Sequence, residues 1–211
     1  MLRLLLALSS LIIYSADTLK DPSMEKLLKN YKKQNFIAPE ALDQAFHFYV
    51  NRREKEKFRK DYMAIVDFTK PSNTKRLYLL SLKEPKMESF KVSHGKGSDP
   101  DHNLVVDKMI ATPRSNGTPP GFHRLAETYF GQHGLSIKMD GLEESNSTDR
   151  KRLIVMHGAK YVSWAHTGRS QGCPAVEKKH IKYLAEKLKE GGLIYHYFKP
   201  AKTKEMKSEP K

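Results

Sequence analysis

Arg169-Ser170-Gln171-Gly172-Cys173-Pro174-Ala175 carries the only cysteine in the chain. Gly172 lets the backbone turn tightly before Cys173, and Pro174 suits the first position of a helix. A cysteine at a helix N-terminus meets unpaired N–H groups and the positive end of the macrodipole, which stabilise a thiolate. Those N–H groups also suit a tetrahedral oxyanion. His157 stands sixteen positions upstream, after Leu153-Ile154-Val155-Met156, a run that reads as a short buried strand ending at His157-Gly158. A cysteine beside a positioned histidine is a nucleophile–base pair suited to acyl transfer. On spacing alone, Cys173 is equally well read as a small buried hydrophobe.

The elements that must position these residues follow from pattern. Ser23 to Asn35 and Pro39 to Lys60 are expected helices, the second with Ala41, Leu42, Ala45, Phe46 and Tyr49 on one face. The pattern then turns to β at Met63–Phe68, Arg76–Leu82 and Met87–Ser93. Met109 to Gly121 reads as loop, with Pro113, Asn116-Gly117 and Pro119-Pro120. Thr128 to Met139 alternates weakly, as one or two strands. Ala175 to Lys189 has helical spacing closed by Gly191-Gly192, and Leu193 to Phe198 is a last strand.

The chain has 211 residues, enough for one domain with a well-buried core, and a formal net charge of +14. That charge suits polyanionic partners: nucleic acid, an anionic membrane surface or an acidic wall polymer. No basic heptad region, Cys/His finger spacing or RNA-binding aromatic signature supports nucleic acid. One cysteine excludes an intramolecular disulfide framework and multi-cysteine metal sites, and no histidine pairs with a second ligand at metal spacing. His133, which precedes a glycine, takes no chemical role in this reading, and His123 and His166 read as surface polar residues that could approach the cleft. Residues 1–16 hold one charge, Arg3, before an apolar run, and read as a secretory signal with cleavage near Ser15 or Ala16, the alternative being an uncleaved single anchor or a buried N-terminal helix. No second apolar stretch approaches membrane-spanning length. The expected organisation is a signal at 1–16, a helical segment at 17–60, a catalytic domain at 61–198 and a basic disordered tail at 199–211.

His157 followed by Ser170-Gln171-Gly172-Cys173 resembles the signature of the murein L,D-transpeptidase catalytic domain family. Further blocks look like one of its subfamilies: Ile65-Val66-Asp67-Phe68-Thr69-Lys70-Pro71-Ser72, Lys75-Arg76-Leu77-Tyr78, Ser93-His94-Gly95-Lys96, Glu127-Thr128-Tyr129-Phe130-Gly131, Asp140-Gly141-Leu142 and His157-Gly158-Ala159-x-Tyr161-Val162-Ser163. The resemblance spans roughly Asp61 to Phe198. It implies a mostly β (α+β), sandwich-like fold with N-terminal helices and one helix after Cys173. It also implies a nucleophilic Cys173, His157 as base, and a group near Gly158 that holds the imidazole. Arg169 and Ser170 would shape the pocket, Gly172 and Cys173 N–H groups would line the oxyanion hole, and His94 would be a supporting contact near the cleft or, alternatively, a structural histidine at a strand end.

Three departures stand out against the resemblance. Gln171 replaces a histidine or aromatic residue, the Trp164–Thr167 segment is short, and Phe122-His123-Arg124-Leu125 replaces a Ser-rich stretch in a loop expected to border substrate. The implied function is an exported, periplasmic or envelope-located cysteine enzyme acting on peptidoglycan stem peptides as a monomer. It needs no cofactor or metal, no nucleic acid and no stable membrane insertion. Release of D-Ala would end in cross-linking or D-amino-acid exchange. The alternatives are an L,D-carboxypeptidase and an idle wall-binding module.

Overall fold

A computed structural model describes residues 18–59 and 61–199. The expected signal at 1–16 and the tail beyond Lys199 lie outside the described residues. Helix α1 (Pro22–Gln34) starts where the Asp21 side chain accepts from the Ser23 and Met24 N–H groups, and it closes at left-handed Asn35. Helix α2 (Pro39–Arg52) opens on a first-turn proline. It stops short of the expected Lys60, because Arg53–Lys57 forms turns.

The strands are β1 (Tyr62–Asp67), β2 (Lys75–Ser81), β3 (Met87–Lys91), β4 (Gly121–Gly131), β5 (Gly134–Gly141), β6 (Val155–Ala159), β7 (Ala175–Glu177) and β8 (Gly192–Tyr197); helix α3 (Ile181–Leu188) lies between the last two. They form one sheet in the order β3-β2-β1-β8-β4-β5-β6-β7. The β1–β8 and β6–β7 pairs are parallel and the others antiparallel. The two edges meet: Val92 bridges Val176, and the Ser93 N–H donates to the Ala175 carbonyl at 2.8 Å. The mostly β, sandwich-like expectation is thus realised by a single sheet that folds back on itself.

Alternation divides the core. Met63 and Ile65 of β1 join α1 and α2 in one layer, while Ala64 and Val66 join α3 in the other. Residues on both faces of the central strands are therefore covered.

That coverage explains one correction. Phe122-His123-Arg124-Leu125 is not a substrate-bordering loop but the start of central strand β4. Phe122 stacks between Phe48 and Tyr195 at ring separations of 3.8 and 4.1 Å, and Leu125 faces the opposite layer. A strand buried on both faces loses the alternation by which it would be recognised. A second correction follows Cys173. Ala175–Glu177 is a strand paired to His157–Ala159, and the helix begins only at Ile181. Ladder bonds to β6 and the Val92 edge hold this backbone extended, so no helix dipole acts on Cys173.

Candidate active site

The β6–β7 pair sets His157 opposite Ala175, two residues past Cys173. His157 lies within β6 rather than at its end. Both side chains line a cavity of about 400 Å³ with Gln132, His133, Arg152, Leu153, Tyr161, Arg169, Ser170 and Gln171 among its walls.

His157 is nearly inaccessible. Its Nδ1 lies 3.3 Å from the Gly158 carbonyl oxygen, which only accepts, so Nδ1 carries the proton and Nε2 is left as the free base. The His133 ring stacks on it at 4.2 Å and 18°. Burial first, then the positive charge available to His133, push the His157 pKa down to about 4. Cys173 is half-buried, and its thiol donates to the Leu153 carbonyl at 3.7 Å. Burial raises its pKa, opposed by the Val155 N–H and by the Arg152 charge. A thiol and a neutral imidazole, not a thiolate, occupy the resting site.

The turn before Cys173 is built by Ser170. Its hydroxyl accepts from the Gly172 N–H at 3.0 Å and donates to the Cys173 carbonyl at 2.6 Å. The Gly172 N–H is therefore committed and is not the expected oxyanion donor. The Cys173 N–H has no internal acceptor among the described residues. Gly172 adopts φ +122°, where a Cβ would stand 2.7 Å from the Gly117 carbonyl, and a Cβ on Gly95 would stand 2.2 Å from the Asn116 carbonyl. Three backbone segments thus converge behind the cysteine.

His94 stands in that convergence and not on the cavity wall, which corrects its place as a pocket residue. It is wholly buried. Arg76, which cannot accept, lies 2.9 Å from its Nδ1, and Asp99 lies 2.9 Å from its Nε2. Those partners set the neutral Nε2–H tautomer. Burial and the Arg76 charge push its pKa down to about 4. Its carbonyl accepts from the Ser170 N–H at 2.9 Å. Arg169, on the cavity wall, donates to the Asp99 carbonyl. His94 therefore supports the turn through Ser170 and Asp99.

Sequence reasoning missed three residues here. His133 sits in the two-residue tip between paired Gly131 and Gly134, and the Ser136–His157 register carries that tip to the base. The Gly-Gln-His-Gly turn was a visible signal, but the β5–β6 pairing was not. Arg152 lies on the cavity wall, its side chain 6% exposed, paired with Asp149 at 2.9 Å and donating to the Gly117 carbonyl at 3.0 Å. Fully buried Arg76 ties the Lys70 and Val92 carbonyls to His94. Asp149 also meets His123 at 2.9 Å, which places His123 inside the β4 network. Trp164 is exposed and lies edge-on to Tyr161 at 6.3 Å.

A family model described as an L,D-transpeptidase catalytic domain matches residues 33–197. No curated protein matches the chain. Bd1075 of Bdellovibrio bacteriovorus is similar at 17% identity over 67% of this chain and 48% of that one, with a TM-score of 0.42. An L,D-transpeptidase from Mycobacterium smegmatis is similar at 11% identity over 65% of this chain and 59% of that one, TM-score 0.42. One from Stackebrandtia nassauensis is similar at 16% identity, over 86% and 80%, TM-score 0.42. The chain spans about half the length of the first of these.

Proposed function

The chain belongs to the L,D-transpeptidase catalytic domain family, and from that membership we propose that it is an exported cysteine acyltransferase of peptidoglycan stem peptides. The observation that carries the reading is the shared cavity: Cys173 and His157 line it together, with the Gly158 carbonyl leaving Nε2 of His157 free. His157 takes the thiol proton as sulfur bonds to the carbonyl carbon of the third stem residue, a diamino acid. The Cys173 N–H is the donor for the oxyanion. The bond to terminal D-Ala breaks, and its amine leaves with the proton from His157. A thioester remains. An incoming amine loses its proton to His157, forms the new amide, and the thiol is restored. The +14 charge favours retention on an anionic wall. Among the described residues no helix is long and apolar enough to cross a membrane.

The test is to incubate the protein with tetrapeptide muropeptides and separate the products by mass. Cross-linked dimers or D-amino-acid exchange products are expected. Tripeptides alone would mean hydrolysis and an L,D-carboxypeptidase. A carbapenem, a β-lactam class that acylates this family, is expected to add its mass to the wild type and not to Cys173→Ala. Neither turnover nor adduct would mean an idle wall-binding module.

A further inference from the structure

A second cavity, also of about 400 Å³, adjoins the first and shares Arg152, Ile154 and Gln171 with it. Its remaining walls are Pro113, Arg114, Asn116, Thr148 and Lys151. Three cations and no carboxylate line it. Arg152 distinguishes it from an ordinary basic surface, because its side chain is more than nine-tenths buried. Asp149 is its one acidic partner, and that carboxylate is divided between Arg152 and His123. The two Arg152 bonds, to Asp149 and the Gly117 carbonyl, leave further guanidinium N–H donors uncommitted. A planar donor fork, desolvated on its protein side and flanked by two more cations, matches a carboxylate.

The geometry points to this annex as a carboxylate-binding subsite beside the nucleophile, with Arg152 as its fixed anchor and Arg114 and Lys151 as its outer cations. The inference rests on the reading of the site as a peptidoglycan acyltransferase and names what that site recognises: a free carboxylate of the stem peptide, held while Cys173 faces the scissile carbonyl. Gln171, on both cavity walls, marks the passage between them.

The experiment is equilibrium binding by calorimetry to full-length Cys173→Ala, so that no turnover intervenes. The probes are a free tetrapeptide and a panel with each carboxylate amidated in turn. One amidation is expected to weaken binding about tenfold, the scale of one charge-assisted contact. In a protein that also carries Arg114→Gln and Lys151→Gln, that difference should shrink to about twofold. Arg152→Lys should weaken the free peptide, because a point charge replaces the fork. Thermal unfolding of each variant checks its fold, and the Arg114 and Lys151 positions are peripheral enough to keep it. Equal binding of every amidated probe, or a preference untouched by the double substitution, would overturn the subsite. Carbapenem labelling of the wild type is the separate readout: its failure sinks the acyltransferase reading, whereas labelling with no carboxylate preference sinks the subsite alone.

Discussion

Cys173 and His157 rest as a neutral pair, because burial raises the thiol and lowers the imidazole to about 4. Proton transfer then accompanies attack rather than preceding it. A base must be neutral to act, so the acid limb of kcat/KM is expected near pH 4 to 5, well below the ordinary histidine value. A limb at about 6.5 would contradict it. His157→Gln should lower turnover ~10²–10⁴-fold with the fold intact. His133 is expected to act through His157: His133→Ala should move the acid limb upward, since a charge-bearing neighbour is gone. His133→Phe keeps a stacked ring without the charge, and comparing the two separates stacking from electrostatics. NMR titration of His157 reads the same shift directly. A limb unmoved in both variants would leave His133 with packing alone.

At the scale of elements, the nucleophile is held by an irregular turn clamped from three sides. Ser170→Ala removes the acceptor for Gly172 and the donor to the Cys173 carbonyl, two bonds worth about 1 kcal/mol each. Turnover should fall further than stability does, because the freed turn no longer holds the sulfur beside Leu153 and Val155. Urea unfolding and steady-state kinetics on the same variant check this; equal losses would make Ser170 a stability residue only. The α1–α2 pair is a separate matter of packing. Phe48 stacks on Phe122 of central β4, so Phe48→Ala should cost about 3–5 kcal/mol, the usual loss for a buried aromatic. The effect should appear in denaturant midpoints and not in the pH profile.

At the scale of the whole molecule, and among the described residues, His94, His157 and His196 are buried and held neutral. Burial is the largest cause for each: His94 and His157 are held at about 4, and His196 well below its ordinary value. Their folded values lie below the unfolded value near 6.5. The unfolded chain therefore binds more protons, and stability is intact above about pH 6.5. It is lost as pH falls toward and through 4, at up to about 1.4 kcal/mol per pH unit for each histidine. The urea midpoint should drop between pH 7 and pH 5. A constant midpoint over that interval would show that these groups gain solvent or partners when protonated.

Motif, local period and turn chemistry determined a good deal from the sequence alone. The Gly172-Cys173 turn, the upstream His157, the α1 boundaries and strands β1, β2, β3 and β8 all rest on signals within a few residues. Those signals act through local sterics and alternation. Tertiary structure decided what depends on partners far along the chain. The extended Ala175–Glu177 backbone comes from ladder bonds to β6 and the Val92 edge, against a local helical spacing. The Phe122–Ala126 start of β4 is hidden in the sequence because both its faces are covered, whereas its later half falls within the Thr128–Met139 stretch that already reads as strand. His133 meets His157 only through the β5–β6 register, and Arg152 stands on the cysteine's cavity wall only because Asp149 and the Gly117 carbonyl hold it there. Burial, which sets both protonation states in the site, belongs to the assembled core and to no single stretch of residues.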